Sequence, residues 1–177
     1  MNIITASTGG PVLLPSTDCD EVFPGIVLGE GIVAKSPSTL KKLRITHILN
    51  TALGKTRYHV NSNHVMYRKY DIQFKGIEAT DQMNFDLSLY FYSCAEFIHD
   101  ALQKDGEVYV HCVQGVSRSA TIVIAYLMIK HHMTAQDALR LVRSKREVCP
   151  NDGFLQQLCD LNTKLTKSGH FKTQDRT

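Results

Sequence analysis

Residues 108–129 read VYVHCVQGVSRSATIVIAYLMI, and this stretch decides the fold. Its first residues are β-branched or aromatic, which predicts a buried strand over 108–111. Residues 119–129 are almost all apolar, a pattern typical of a largely buried helix. The short loop between them has Gly115 at its middle. The stretch therefore predicts a strand–loop–helix corner.

The loop at residues 112–118 has the composition of an anion site. Successive backbone N–H groups in such a turn point inward, and the helix that follows adds the positive end of its dipole. Arg118 is able to fold back and bind a planar set of oxygens in a bidentate manner. We therefore expect a tetrahedral oxyanion above the Cys112 sulfur.

The same surroundings favour ionisation of Cys112. Backbone amides, the helix N-terminus, Arg118 and the Ser119 hydroxyl all stabilise a thiolate, and in such settings the cysteine pKa drops from about 8.5 to roughly 3.5–7.5. A thiolate present at neutral pH attacks phosphorus without a separate base. A lone cysteine at a strand end is more often a small buried residue. The neighbouring histidine, glycine, arginine and serine at these spacings favour a nucleophile instead.

The rest of the chain alternates β-rich runs with helical patterns. Strands are predicted at 26–28, 45–49 and 65–70, with an irregular surface loop over 54–63. Helices are predicted to begin at four capping positions, Ser36, Asp86, Thr134 and Asn151. We expect the second of them to end at Asp105 and Gly106, since glycine tolerates a left-handed turn.

Strands that alternate with helices indicate an α/β fold in a single domain, with a central mixed β-sheet flanked by helices. Residues 1–20 are rich in Gly, Pro, Ser and Thr and predict a flexible N-terminal arm. The domain is predicted over 21–166. The polar residues 167–177 predict a flexible tail.

Composition limits the class of protein. The 177 residues are 43% hydrophobic and 21% charged, which suits one packed domain. A net charge of +3 is too small to indicate a nucleic-acid partner. The five cysteines have no metal-ligand spacing, and their sparse, odd number indicates a reducing compartment.

The sequence also argues against a membrane protein. The longest apolar stretch, 120–129, is too short to span a bilayer, and residues 1–16 lack the pattern of a signal peptide. We therefore expect a cytoplasmic or nuclear protein, or one found in both compartments, with no membrane contact, no metal and no other cofactor.

The segment His-Cys-x-x-x-x-x-Arg-Ser at 111–119 resembles the signature of cysteine-dependent protein tyrosine phosphatases. The sequence AYLM at 125–128 is similar to the dual-specificity branch. The likeness extends from about residue 20 to residue 165 and includes 76–77, 84–91 and PNDGF at 150–154. The chain is most similar to the small atypical dual-specificity phosphatases of the VHR type. That resemblance implies the protein tyrosine phosphatase-like fold.

The resemblance also implies roles for residues of the loop. Cys112 is the nucleophile that forms a phosphocysteine intermediate, and Arg118 binds phosphoryl oxygens. His111 holds the loop by hydrogen bonds and helps keep the thiol pKa low. Ser119 stabilises the departing thiolate. The phosphate-binding residues implied are Val113, Gln114, Gly115, Val116, Ser117 and Arg118.

The reaction also needs a general acid for the leaving oxygen. The family takes an aspartate from a loop upstream of the nucleophile, and Asp81 fits that position. Asp86 is the alternative, although its place at a helix start indicates a cap. Asn151 matches an asparagine that braces the active-site loop in the family, and it equally resembles a helix cap.

Three residues are candidates for substrate recognition. Arg146 lies where VHR-type enzymes place a basic residue near a second phosphate, but an ordinary solvated helix end predicts the same sequence. Arg57 and Tyr58 belong to a loop that is able to rim the cleft. Residues 35–75 hold nine basic residues and one acidic residue, which indicates either a solvated surface or a face that attracts anions.

The resemblance implies a phosphatase that acts on phosphotyrosine and on phosphothreonine or phosphoserine in proteins. MAP kinase-like activation loops are candidate substrates, and MAP kinases are candidate partners. Two alternatives remain. One is a pseudophosphatase or scaffold that binds phosphorylated partners. The other is a phosphatase for lipid or RNA phosphate esters. The neutral Val113, Gln114 and Val116 favour a single phosphate in the pocket.

Overall fold

The computed structural model describes residues 14–171. Within them the chain forms a five-stranded sheet in the order β1-β2-β5-β3-β4, in which β1 is antiparallel to β2 and the other strands run parallel. The strands are β1 (Cys19–Phe23), β2 (Ile26–Gly29), β3 (His47–Asn50), β4 (Gln73–Gly76) and β5 (Val108–His111). The predicted mixed sheet is confirmed.

Helices cover both faces of this sheet. A 3-10 turn, Leu87–Tyr90, leads into the fourth helix. The helices are α1 (Gly31–Ala34), α2 (Pro37–Lys42), α3 (His64–Arg68), α4 (Phe91–Leu102), α5 (Arg118–Lys130), α6 (Ala135–Arg143) and α7 (Asp152–Lys167).

Alternating side chains of the central strands divide the core into two layers. Leu49 and Val110 pack with α4 to α7, whereas Ile48 and Tyr109 pack with α1 to α3. This follows from the period of two in a strand, which sends neighbouring side chains to opposite faces. Every residue of β5 is buried, as is all of α5 except Lys130. The strand–loop–helix corner is thus the centre of the domain.

The parallel register brings the carboxyl ends of the strands to one edge of the sheet. His111 pairs with Gly29 on one side and with Asn50 on the other, and Asn50 pairs with Gly76. The segments that follow these four residues therefore leave the sheet side by side. In α/β folds this edge is where ligand sites form.

The predicted strand at 65–70 is wrong. Residues 65–68 belong to α3, because the Asn63 side chain accepts hydrogen bonds from Val65 N at 3.0 Å and Met66 N at 3.2 Å. A cap of this kind fixes a helix start even where the residues that follow favour strands. Tyr67 is buried and donates to the Ala34 carbonyl. The strand follows later, as β4.

One boundary and one turn residue also differ from expectation. Strand β1 begins at Cys19, inside the predicted arm, and the rest of that arm up to residue 13 lies outside the described residues. Helix α4 ends near the predicted place, but Asp105 adopts the left-handed conformation, with φ of 54°. Gly106 is needed for space instead, since a Cβ there would lie 2.6 Å from Thr46 Oγ1.

The other predicted elements are confirmed within one or two residues. Thr134 caps α6 by accepting a hydrogen bond from Asp137 N, and Asp86 caps the 3-10 turn. The predicted tail begins where α7 ends, and residues 172–177 lie outside the described part. No helix between residues 14 and 171 is both long and apolar enough to cross a bilayer.

We expect Asn63→Ala to lower the free energy of unfolding by about 1 kcal/mol, because α3 loses the acceptor for two N–H groups. Urea unfolding measures this change. Asn61→Ala is the matched control, since Asn61 is exposed two residues earlier, and we expect a change within about 0.5 kcal/mol. Equal losses for the two variants would contradict the assigned cap.

Candidate active site

The loop at residues 112–118, here called the cysteine loop, wraps its amides around a buried sulfur. Cys112 is 2% exposed, and its Sγ accepts hydrogen bonds from Gly115 N and from Ser119 Oγ, both at 3.3 Å. Gly115 has φ of 67°, and a Cβ there would lie 2.5 Å from the Gly29 carbonyl oxygen. The loop can close this tightly only with glycine at its middle.

The cysteine loop lowers the pKa of Cys112 below the ordinary value of a thiol. Burial acts in the opposite direction and raises it, but the Arg118 charge, the Ser119 hydroxyl, and the N–H groups of Ser119 and Val116 together outweigh burial. Each of these groups stabilises the thiolate more than the thiol. The site therefore stabilises the thiolate relative to the thiol, which is the direction that the sequence predicts.

Arg118 is held by one side of its guanidinium group. Nη1 donates to the carbonyl oxygens of Tyr58 and Ala79, each at 3.0 Å. Among the described residues, the buried Nε has no hydrogen-bond partner. A planar group fixed in this way leaves its Nε edge free for a bidentate contact with an oxyanion.

His111 supports the loop as a neutral group. Its Nδ1 lies 2.9 Å from the Cys112 carbonyl oxygen, which only accepts, so Nδ1 carries the proton. Burial lowers the pKa of His111 to about 4, with the neighbouring Arg118 charge acting in the same direction. The expected hydrogen bond is present. The expected help with the thiol pKa stays a prediction.

Asp81 lies over the cysteine loop and is oriented by two donors. Its Oδ1 accepts hydrogen bonds from Ser117 Oγ and from Asn151 Nδ2, both at 2.8 Å, while Oδ2 is 3.9 Å from Arg118 Nε. With Oδ1 occupied, Oδ2 is the oxygen left to carry a proton. The alternative residue, Asp86, caps the 3-10 turn through Ser88.

Asn151 caps α7, and its side chain braces Asp81 while its backbone N–H contacts the cysteine loop. Its Oδ1 accepts from Phe154 N at 3.0 Å and caps α7, while its Nδ2 holds Asp81. Its backbone N–H donates to Ser117 Oγ at 3.1 Å. Because one side of an amide accepts and the other donates, the cap and the brace do not compete.

Sequence reasoning missed the role of the Ser117 side chain. Ser117 was expected only as part of the phosphate-binding loop, yet its hydroxyl links Asp81 to Asn151. Gly153 lets the start of α7 approach the same region closely. A Cβ at this position would overlap the Met83 carbonyl oxygen, in the segment that follows Asp81. Neither contact has a local signal, because the partners lie 34 or more residues apart.

The predicted rim residues lie on the exposed loop between β3 and α3. Tyr58 is 59% exposed, and its carbonyl oxygen is one of the two that hold Arg118. The Arg57 guanidinium lies 4.6 Å from the centre of the Tyr58 ring. Asn50 anchors the loop by donating to the Val60 carbonyl at 2.8 Å. Arg57 and Tyr58 therefore flank the site as solvent-facing groups.

The prediction for Arg146 is wrong in both of its forms. The residue is 1% exposed, so it is neither a solvated helix end nor a substrate contact on the surface. Its guanidinium donates to the Gln114 and Gly115 carbonyls, to the Thr17 carbonyl and to Asp20. A buried arginine needs such partners, and these lie up to 129 residues away, beyond the reach of a local pattern.

The described residues bring together no group of three or more His, Cys, Asp or Glu side chains suited to a metal ion. All five cysteines are free. What the site offers is a sulfur whose surroundings favour the thiolate, a ring of N–H donors, an arginine edge and an oriented carboxyl group. This combination suits transfer of a tetrahedral phosphoryl group to the sulfur and then to water.

Comparison with known proteins points to the same chemistry. Residues 26–164 match the family described as "Dual specificity phosphatase, catalytic domain". The chain is 45% identical to dual specificity protein phosphatase 13B of Homo sapiens over 154 residues, covering 86% of this chain and 77% of that protein. It is 44% identical to dual specificity protein phosphatase 26 of Homo sapiens over 147 residues, covering 82% and 68%.

Solved structures resemble the fold closely. The structure of DUSP15 superimposes with a TM-score of 0.72 at 29% identity and covers 90% of this chain and 96% of that one. The human tyrosine phosphatase-like serine/threonine/tyrosine-interacting protein has a TM-score of 0.72 at 29% identity and covers 84% and 97%.

We expect Asp81→Asn to lower kcat for a small aryl phosphate by about 10²–10⁴-fold, with KM less affected, because the leaving oxygen loses its proton donor. Steady-state kinetics measure both parameters. Asp86→Asn is the matched control and should keep near wild-type turnover; a larger loss there than in Asp81→Asn would overturn the assignment.

Proposed function

The chain belongs to the dual-specificity phosphatase family, and on that premise we propose that it hydrolyses phosphotyrosine and phosphothreonine or phosphoserine in proteins through a phosphocysteine intermediate on Cys112. One observation carries the proposal. The Cys112 sulfur lies at the centre of a ring of N–H and O–H donors, below the free edge of Arg118. A dianionic phosphoryl group fits between that sulfur and that edge.

In the first step the Cys112 thiolate attacks phosphorus and an S–P bond forms. The bond from phosphorus to the substrate oxygen breaks, and the leaving oxygen takes the proton from Oδ2 of Asp81. The N–H groups of the cysteine loop and Arg118 bind the equatorial oxygens, where charge is spread in the transition state. Ser117 and Asn151 hold the carboxyl group in place by occupying Oδ1.

In the second step a water molecule attacks the phosphocysteine. Asp81, now a carboxylate, accepts a proton from that water, and the S–P bond breaks to give inorganic phosphate and the thiolate. The Ser119 hydroxyl, 3.3 Å from Sγ, stabilises the sulfur as its negative charge returns. The second step thus restores both residues to their starting protonation states.

The choice of substrate follows from the walls of the site. Val113, Gln114 and Val116 carry no charge, which favours one phosphate in the pocket over a highly phosphorylated lipid headgroup. The nucleophile, the arginine and the acid lie together, which favours turnover over a scaffold that only binds. Doubly phosphorylated activation loops of the MAP kinase type remain candidate substrates, with residence in the cytoplasm or nucleus as the corresponding prediction.

Arg146 is buried, whereas Arg57 is an exposed cation on the loop beside the site, and we infer that Arg57 contacts a second phosphate. It lies on the loop whose carbonyl group, at Tyr58, contacts the catalytic arginine. Stacking on the Tyr58 ring limits the freedom of the guanidinium group. We therefore place recognition of a neighbouring phosphate on Arg57.

The experiment that tests the proposed reaction is hydrolysis of a small aryl phosphate in EDTA. We expect turnover by the wild type and none by Cys112→Ser, because a serine hydroxyl is not ionised at neutral pH. Cys159→Ser is the control, since Cys159 is a half-buried residue of α7. A folded, reduced wild type without turnover would instead support a protein that binds phosphorylated partners.

For substrate choice, we expect the wild type to prefer a doubly phosphorylated Thr-x-Tyr peptide over the peptide phosphorylated on tyrosine alone. Arg57→Gln should reduce this ratio of kcat/KM by about two- to fivefold, the range that an exposed ion pair contributes. Lys42→Gln is the control. Lys42 is the last residue of α2 and lies before the amino end of β3, whereas the site lies at the carboxyl ends of the strands. An unchanged ratio in Arg57→Gln would contradict the assigned contact.

A further inference from the structure

We propose that Arg146 is a positioning residue for catalysis, which holds two peptide groups of the cysteine loop so that their N–H bonds point at the Cys112 sulfur. This inference rests on the proposed function and extends it to a residue behind the site. It replaces the expectation that Arg146 contacts substrate.

Arg146 binds the loop from the side opposite to the sulfur. Its Nη2 donates to the Gln114 carbonyl at 3.1 Å and its Nε donates to the Gly115 carbonyl at 3.0 Å. All peptide bonds described are trans, so the N–H of each peptide group points away from its own carbonyl. The N–H groups opposite these two carbonyls belong to Gly115 and Val116.

Both of those N–H groups act on the sulfur. Gly115 N lies 3.3 Å from Cys112 Sγ, and the Val116 N–H is among the groups that lower the pKa of Cys112. A positive charge bound to the carbonyl end of a peptide group polarises it and strengthens its N–H as a donor. Arg146 thus acts on the thiolate through two peptide groups, without touching it.

The first strand anchors the far side of the guanidinium. Nη1 donates to Asp20 Oδ2 and to the Thr17 carbonyl, both at 2.8 Å, and the Thr17 hydroxyl donates to the same carboxylate. A buried arginine is costly unless its nitrogens are paired. Here every guanidinium nitrogen has an acceptor, so the start of β1 fixes Arg146 and Arg146 fixes the loop.

The arrangement requires the shape of arginine as well as its charge. The planar guanidinium group reaches two neighbouring carbonyl groups on one side and a carboxylate on the other. A lysine ammonium is a single point of charge and does not reach all three. Arg146→Lys therefore keeps the charge and loses the simultaneous hold on both carbonyls. Asp20→Asn keeps both contacts between Arg146 and the loop carbonyls. It removes the carboxylate that neutralises the positive charge of Arg146.

The test is the pH dependence of Cys112 alkylation by iodoacetate, with thermal unfolding to confirm that each variant is folded. We expect the pH midpoint of Cys112 alkylation to rise by about one pH unit in Arg146→Lys, because the hydrogen bonds to the thiolate become weaker. We expect kcat/KM for an aryl phosphate to fall about tenfold, the rate equivalent of one such unit. Inhibition by inorganic phosphate should weaken.

In Asp20→Asn we expect the midpoint to move down, because Arg146 keeps its loop contacts and its charge is no longer neutralised. Arg140→Gln is the control for the loss of a positive charge, since Arg140 is exposed on α6 and pairs only with Asp137 among the described residues. It should leave the midpoint and turnover unchanged.

A folded Arg146→Lys with the wild-type midpoint would overturn the proposal. If Arg146→Lys does not fold, Asp20→Asn provides the test. An unchanged or raised alkylation midpoint in Asp20→Asn would overturn the proposal. The alkylation midpoint needs no turnover. A wild type that lacks phosphatase activity would therefore contradict the proposed function. The effect of Arg146 on the Cys112 thiolate could still be measured in that case.

Discussion

A negative charge on a buried sulfur is the constraint on which the rest of this structure depends. Burial alone opposes ionisation of Cys112, so the thiolate exists only where donors replace the lost water. The end of β5, the left-handed Gly115 and the start of α5 supply those donors from the backbone. Arg118 adds a full positive charge that acts directly on the sulfur. The position of β5 at the centre of the sheet keeps this corner rigid and dry.

The acid is positioned by a different route. Asp81 comes from the segment after β4, and its two donors come from the cysteine loop and from the start of α7. These segments are far apart in the chain and meet because parallel strands end at a common edge. The register of the sheet therefore sets the distance between nucleophile and acid, and a shift of one residue in β4 would separate them.

The parts that sequence predicted are those with a local cause. The cysteine loop, the caps at Asp86 and Thr134, and the buried helix after the loop each follow from residues within a few positions of one another. The choice of Asp81 over Asp86 rests on the position that the resemblance implies and on the helix-start position of Asp86, which is typical of a cap. The strand predicted over 65–70 failed because the β-forming residues there are outweighed by the cap at Asn63.

The parts that sequence could not predict depend on partners far along the chain. Arg146 resembled a surface residue because its neighbours are charged, and its burial follows from acceptors near residues 17, 20 and 115. The bridge from Ser117 to Asp81 has the same origin. No periodicity records such contacts, since only the folded sheet brings them together.

The double use of Asn151 joins a helix end to the acid. The amide that caps the first turn of α7 also holds the Asp81 carboxyl group, and the same turn packs against the segment after Asp81 through Gly153. Fraying of that single turn removes one of the two donors that orient the acid, and Ser117 alone then holds the carboxyl group. Heat or a bound partner that loosens the start of α7 is thus expected to disturb the acid before it disturbs the nucleophile.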